Sequence, residues 1–290
     1  MSRDKESPRL RVAKTYKLFI GGRFPRSESG RYFALAGSGG KLTANVSRAS
    51  RKDFRDAVVA ARAAQSAWAA SSAYLRGQIV YRIAEMLEDR SSQFAAELRE
   101  QGRSQARSRA EVQASIDRLV YFAGWADKYQ QVFSSVNPVA SSHFCFSLLE
   151  PMGVVAVMAP ERSALLGLVT NIAAAIIGGN TVVALASESR PLSAISFAEV
   201  LQAGDVPAGV VNVLTGYRAE LAEHFASHMD VNALVCCDDD VLPPEGPATG
   251  TANNIKRLVD RSALDWRSSA DPYLIRETQE TKTTWHPIAS

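Results

Sequence analysis

The feature that most restricts this chain is a set of four β-rich apolar runs between positions 153 and 236. They are Gly153-Val154-Val155-Ala156-Val157-Met158, Thr181-Val182-Val183-Ala184, Val210-Val211-Asn212-Val213-Leu214 and Ala233-Leu234-Val235-Cys236. A strand with one wet face alternates polar and apolar residues, so runs without that alternation must be covered on both faces. The intervals 163–177, 191–202 and 218–227 are long enough for helices, and the second opens with Pro191 at a first-turn position. Strand, helix and strand at this repeat length predict right-handed crossovers and a parallel, doubly wound α/β sheet. Ligands on such a sheet bind outside the carboxyl ends of the strands. The loops to inspect are therefore 159–163, 185–188, 215–218 and 236–240.

Length and charge narrow the functional classes. A chain of 290 residues can bury one good core or two modest ones. The 33 basic and 30 acidic residues are interspersed and leave a net charge of +3, which makes no case for nucleic acid or an acidic membrane. Residues 1–10 are charged and lack an apolar centre, so no secretory leader is expected there. No apolar run approaches the ~20 residues of a membrane helix. Three cysteines, Cys145, Cys236 and Cys237, cannot build a disulfide framework. A reducing, cytoplasmic setting is the expectation.

Before the parallel sheet, Lys17-Leu18-Phe19-Ile20-Gly21-Gly22-Arg23-Phe24 reads as a small hairpin, and Gly37 to Gly40 as a turn. Ser50 with Asp53 forms a short-armed capping box, followed by Phe54, Val58, Ala61, Ala64 and Trp68 at helical spacing. Ser72 opens another helix, with Leu75, Ile79, Ile83 and Met86 on one face. Phe94, Leu98, Ile116, Leu119, Phe122 and Trp125 continue the pattern to about Gln130. Such a stripe reads as core packing rather than a cofactor box. Residues 141–149 predict a strand. After the fourth apolar run, Asp238-Asp239-Asp240 leads into a proline-rich linker, 241–252; residues 253–261 predict a short helix, and 277–288 an isolated strand that must pair with something. The expected organisation is a disordered N-terminus at 1–14, one α/β domain at 15–240, the linker, and a C-terminal helix and oligomerisation strand at 253–290.

Over most of 15–235 these residues resemble the aldehyde dehydrogenase superfamily. The resemblance is carried by Phe19-Ile20-Gly21-Gly22, by 56–64 with Trp68, by Tyr121-Phe122-Ala123-Gly124-Trp125-Ala126, and by Glu150-Pro151-Met152-Gly153-Val154-Val155. Further matches are Gly179-Asn180-Thr181-Val182-Val183, Pro207-Ala208-Gly209-Val210-Val211-Asn212-Val213-Leu214-Thr215-Gly216 and His228-Met229-Asp230-Val231. It implies the Rossmann-like dinucleotide-binding half of that fold. Members oxidise aldehydes with a nicotinamide cofactor, and need an activated cysteine, oxyanion donors and a glutamate base.

The strand ends depart from the family's pattern. Where it has Pro-Trp-Asn-Phe-Pro, with an oxyanion-binding asparagine, this chain has Pro160-Glu161-Arg162-Ser163-Ala164. An arginine fork cannot take the place of a short neutral amide. Lys-Pro-Ser-Glu, which holds the adenosine ribose, is Leu185-Ala186-Ser187-Glu188. The glycine two positions after Thr-Gly is Arg218, and Phe-Thr-Gly-Ser is Cys236-Cys237-Asp238-Asp239. Three consecutive carboxylates would repel a pyrophosphate. No Glu-Leu-Gly-Gly and no Gly-Gln-x-Cys segment follows, while 277–285 resembles the family's C-terminal oligomerisation tail.

No catalytic residue and no metal ligand is therefore assigned. Glu188, with Ser187 beside it, is the remnant of a ribose site, or else an ordinary carboxylate at a strand end. Cys236 and Cys237 read as buried strand residues whose thiolates the neighbouring carboxylates suppress, rather than as a redox pair. His224 and His228 have a metal-like spacing without a third ligand. Asp238-Asp239-Asp240 reads as a solvated loop rather than a cation site. Arg162 and Arg218 are two solvated arginines or the halves of an anion site. NAD(P) follows from the resemblance alone, and no bound cofactor is expected. The resulting expectation is a noncatalytic pseudoenzyme subunit that pairs the 141–149 and 278–285 strands with another sheet edge, in a second copy or a complete aldehyde dehydrogenase. The alternatives are an NAD(P)-dependent component whose catalytic groups come from a partner chain, and a nucleotide or anion sensor.

Overall fold

The computed structural model describes residues 14–37, 42–238 and 250–288. Its centre is a five-stranded, wholly parallel sheet in the order β10-β9-β6-β7-β8, formed by β6 (Val154–Met158), β7 (Thr181–Leu185), β8 (Val211–Leu214), β9 (Ala233–Cys236) and β10 (Arg257–Asp260). The first four are the apolar runs read from the sequence. The crossovers are α6 (Leu166–Ile177), α7 (Leu192–Ala203) and α8 (Arg218–Ser227).

Both faces of this sheet are covered, which explains the missing alternation. Val154, Ala156, Met158, Val183, Leu185 and Leu234 point into one core with Phe54, Val58 and Ala61 of α1 (Arg51–Ala70) and Leu221 and Phe225 of α8. Val155, Val157, Val182, Ala184, Val211 and Val235 point into the other, with α6, α7 and the N-terminal helices α2 (Ala73–Asp89), α3 (Ser91–Glu100) and α4 (Gln105–Trp125). The capping box is present: the Asp53 N–H donates to Ser50 Oγ at 3.3 Å, and the Ser50 N–H to Asp53 Oδ2 at 2.8 Å. Ser72 caps α2 through the Leu75 N–H at 3.1 Å. The apolar stripes are core, except that Leu75 is exposed.

Two smaller sheets flank the centre. One is β1-β3-β2, from Thr15–Tyr16, Leu42–Ser47 and Tyr32–Ala36. The expected hairpin at 17–24 is less regular: Ile20 bridges Arg23 across the Gly21-Gly22 turn, while Phe19 pairs with Val213 of β8. The predicted turn at Gly37 to Gly40 lies, beyond Gly37, outside the described residues. The other sheet is β11-β5-β4, from β11 (Gln279–Pro287), β5 (His143–Pro151) and β4 (Ser135–Asn137). β5 and β11 pair antiparallel along their whole length, from Gln279↔Pro151 to Pro287↔His143. The expectation that both strands await a foreign edge is thus corrected. β5 lies between β11 and β4 and has no free edge over residues 145–147; among the described residues the outer edges of β11 and of the short β4 remain open.

The predicted helix at 253–261 is also corrected. One helical turn at 250–252 ends where Ile255 takes a positive φ of 56°, and Arg257–Asp260 then lies parallel to β9. Only Val259 of its four residues is buried, so an edge strand with charged ends carries little strand pattern. Helix α5 (Tyr129–Phe133) and a one-turn helix at Tyr273–Arg276 complete the described elements named here.

Candidate functional site

The carboxyl ends of β6, β7, β8 and β9 converge on one ion-pair cluster. Arg218 opens α8, and its side chain turns back over the sheet: Nη1 donates to Asp238 Oδ2 at 2.7 Å, and Nη2 lies 3.1 Å from Glu161 Oε1 and also donates to the Ala159 carbonyl. Asp238 Oδ2 in turn accepts from the Glu161 N–H at 2.9 Å. Arg218 is buried, with 9% exposure. The long Arg218 side chain therefore spans from the end of β6 to the residue after Cys237.

Glu161 is the second hub, and sequence reasoning missed it. Its Oε1 accepts from the Glu188 N–H at 2.6 Å, and its Oε2 from Ser187 Oγ at 2.7 Å and the Ser189 N–H at 3.1 Å. Burial would push its pKa up, yet the bonds from Ser189, Ser187 and Glu188 and the charge of Arg218 outweigh burial and hold it below the ordinary value. The available signal was position alone: Glu161 lies in the loop directly after β6, where a ligand-binding side chain would stand.

Ser187 and Glu188, read from the sequence as a ribose remnant or an ordinary strand end, are drawn into the same cluster. Ser187 is 1% exposed and accepts from the Arg190 N–H at 3.0 Å while donating to Glu161. Glu188 Oε2 accepts from the Arg218 N–H at 3.0 Å, so its carboxylate stands at the N-terminus of α8. A helix N-terminus is a natural anion site, since its first N–H groups lack partners and its dipole is positive there. The other two crossover helices are capped internally as well. Glu111 Oε1 accepts from the Leu165 and Leu166 N–H groups at 3.1 and 3.4 Å, and Gln101 Oε1 accepts from the Leu192 N–H at 3.0 Å.

The remaining candidates are dispersed or buried. Arg162 is exposed and engages Arg103 only through its carbonyl, so it does not share a carboxylate with Arg218. Asp238 is an ion-pair partner rather than a solvated residue, while Asp239 and Asp240 lie outside the described residues, as does most of the linker. Cys236 and Cys237 are buried free thiols. Burial first, then the charge of Asp260, pushes Cys236 up to about 12; burial raises Cys237 further. Desolvation, more than the acidic run, suppresses their thiolates. His228 Nδ1 accepts from the Asp230 N–H at 3.2 Å, and burial lowers its pKa. Among the described residues no three His, Cys, Asp or Glu side chains gather to hold a metal, and no helix is long and apolar enough to cross a membrane.

The residues that resemble the family most closely hold the fold. Asn180 Oδ1 accepts from the Gly153 N–H at 2.9 Å, and its Nδ2 donates to the Thr278 carbonyl at 2.9 Å. Asn212 Oδ1 accepts from the Gly21 N–H at 2.9 Å and its Nδ2 donates to the Gly209 carbonyl at 2.9 Å. Gly209 has φ +88°, and a Cβ there would stand 2.5 Å from the Ala60 carbonyl oxygen, so only glycine fits.

Comparison with known proteins shows the family. Residues 26–237 match the aldehyde dehydrogenase family. An aldehyde dehydrogenase of Emericella nidulans is 32% identical over 257 residues, which is 88% of this chain and 51% of that protein. Retinal dehydrogenase 2 of Mus musculus is 33% identical over 259 residues, 87% of this chain and 49% of that protein. Among solved structures, PnpE from Pseudomonas sp. WBC-3 superposes with a TM-score of 0.80 at 29% identity, covering 85% of this chain and 50% of PnpE. The NAD+ complex of aldehyde dehydrogenase from Bacillus cereus gives 0.80 at 25% identity with the same coverage. The chain spans about half the length of each of these relatives.

Proposed function

Because this chain belongs to the aldehyde dehydrogenase family, its fold is an NAD-binding fold, and we propose that it serves as a noncatalytic member, an assembly or regulatory subunit. The observation that carries this reading is the Glu161–Arg218–Asp238 cluster at the place where the fold would take its ligand. A dinucleotide does not fit the residues present. The pyrophosphate would meet the carboxylates of Glu161, Glu188 and Asp238 around one buried guanidinium already paired to two of them. The N-termini of α6 and α8 are taken by Glu111 and Glu188. Ser187 and Glu188 serve the cluster instead of a ribose.

The partner in this reading is a second copy or a complete aldehyde dehydrogenase, and the contact is the β11-β5-β4 sheet. β11 is an edge strand of nine residues with an open outer side, and an unpaired edge is a template for another chain. Val136, Phe144 and Leu148 are exposed on the same small sheet, an apolar patch beside Lys282 and Thr284 of β11.

The test is a pull-down of the tagged protein from its own cells, with NAD titration of the isolated chain. Recovery of a full-length aldehyde dehydrogenase, and no NAD binding by the lone chain, is the expected outcome. Tight NAD binding by the lone chain would overturn the noncatalytic reading and favour a component that completes its chemistry with a partner's groups.

A further inference from the structure

Helix α6 poses a problem that the parallel sheet alone does not solve. Every residue from Leu166 to Ile177 is buried, and all but Thr170 and Asn171 are apolar. Such a helix needs cover all round. The sheet supplies one side and α2 and α4 another; the segment 261–279 runs along the rest.

Three contacts place that segment against the length of the helix. At its first turn, Gly167 has no side chain, and a Cβ there would lie 2.1 Å from Pro160 and 3.4 Å from the Trp266 ring, so both press on the bare backbone. Trp266 is 5% exposed, and its carbonyl accepts from Arg118 Nη2 of α4 at 2.9 Å, while Arg118 Nη1 reaches Thr170 of α6 at 3.0 Å. At mid-helix, Arg261, 2% exposed, donates to Asn171 Oδ1 at 2.6 Å, to the Leu274 carbonyl at 2.9 Å and to Glu277 Oε2 at 2.9 Å; its own N–H reaches the Cys236 carbonyl at 2.7 Å. At the last turn, Ile275 and Gln279 stand against Gly178, and Thr278 is tied to Asn180. Leu274 and Ile275 are fully buried in the same core.

We propose that residues 257–279 are an internal closure: β10 completes the sheet, the Arg261 side chain pins the turn after it, and Trp266 seals the ground beside Pro160 at the carboxyl end of β6. That ground is where a ligand or a second, substrate-binding domain would have to close on a doubly wound sheet. In this reading the chain's own segment, rather than a second chain, covers this end of α6. This rests on the noncatalytic reading and deepens it. Sealing here and assembly through β11 are separate devices at separate places.

The test is amide hydrogen exchange on the full chain over a dilution series of roughly two orders of magnitude, alongside Trp266→Ala. The expected result is that protection at 163–171 stays constant on dilution. In Trp266→Ala it falls there and at 257–279 by about tenfold or more, while β7 and β8 keep theirs. Loss of protection at 163–171 on dilution would mean that a second chain closes this end, and would overturn the proposal. So would a variant that leaves 163–171 unchanged or loosens every strand equally. If Trp266→Ala fails to fold, the dilution series on the unaltered chain decides. NAD binding by that chain would remove the noncatalytic reading while leaving the exchange pattern as predicted, so the two failures are distinguishable.

Discussion

Arg218 Nη1 lies 2.7 Å from Asp238 Oδ2, which ties the first residue of α8 to the loop after β9 across the end of the sheet. The two side chains are only 11% and 16% exposed. In an open nucleotide-binding crevice these elements would stand apart around a ligand; here a buried ion pair joins them.

Removing the cation should therefore cost stability. Arg218→Met leaves the Asp238 and Glu161 carboxylates without their cation, and breaking a buried pair from one side typically costs about 3 kcal/mol. The measurement is the urea midpoint at neutral pH. If the variant matches the parent, the crevice is solvated rather than filled.

A second pH-sensitive site lies between β1 and the helical layer. Glu97 is 7% exposed and accepts from Tyr16 at 3.3 Å, Gln93 at 3.1 Å and Ser196 at 2.7 Å, with no cation hydrogen-bonded to it among the described residues. Burial raises its pKa, only partly offset by the bonds from Ser196, Gln93 and Tyr16 and by the charge of Lys14. A carboxyl whose folded pKa exceeds its unfolded one contributes stability that is present below the unfolded pKa and lost as pH rises through the folded one. Glu97→Gln keeps a neutral acceptor, so its stability should exceed the parent's at neutral pH and converge with it below the ordinary glutamate range. Parallel stability–pH curves would contradict the assignment.

Thiol chemistry should be silent in the folded chain. Cys145, Cys236 and Cys237 are buried, and a thiol raised to about 12, as Cys236 is, holds almost no thiolate at neutral pH. A chromogenic disulfide reagent should find no fast thiol in the native protein and three in denaturant. A rapid native burst would reopen the redox reading.

Assembly should respond to the small sheet and leave the fold intact. Leu148 and Trp285 are 45% and 56% exposed, so Leu148→Asp with Trp285→Asp removes apolar surface without entering a core. Self-association or capture of a full-length relative should weaken by at least tenfold in sedimentation, about 1.4 kcal/mol, with unchanged circular dichroism. An unaltered assembly would place the interface elsewhere.

Sequence alone determined the parallel sheet, because four apolar runs without alternation admit only a strand covered on both faces. It determined the caps of α1 and α2 too, since Ser50, Asp53 and Ser72 act within three residues of themselves. It also marked the strand-end loops as the residues to inspect, since each directly follows an apolar run. Tertiary structure alone decided what those ends do. Asp238 and Glu161 lie 20 and 57 residues from Arg218 in the sequence, and their pairing depends on loops that only the sheet brings together. The fifth strand was hidden for a related reason: Arg257–Asp260 has one buried residue and is a strand because β9 offers an edge. Trp266 and Arg261 carry no local signature at all. Their place against α6 follows from the shape of a surface that exists only once the rest of the chain has folded.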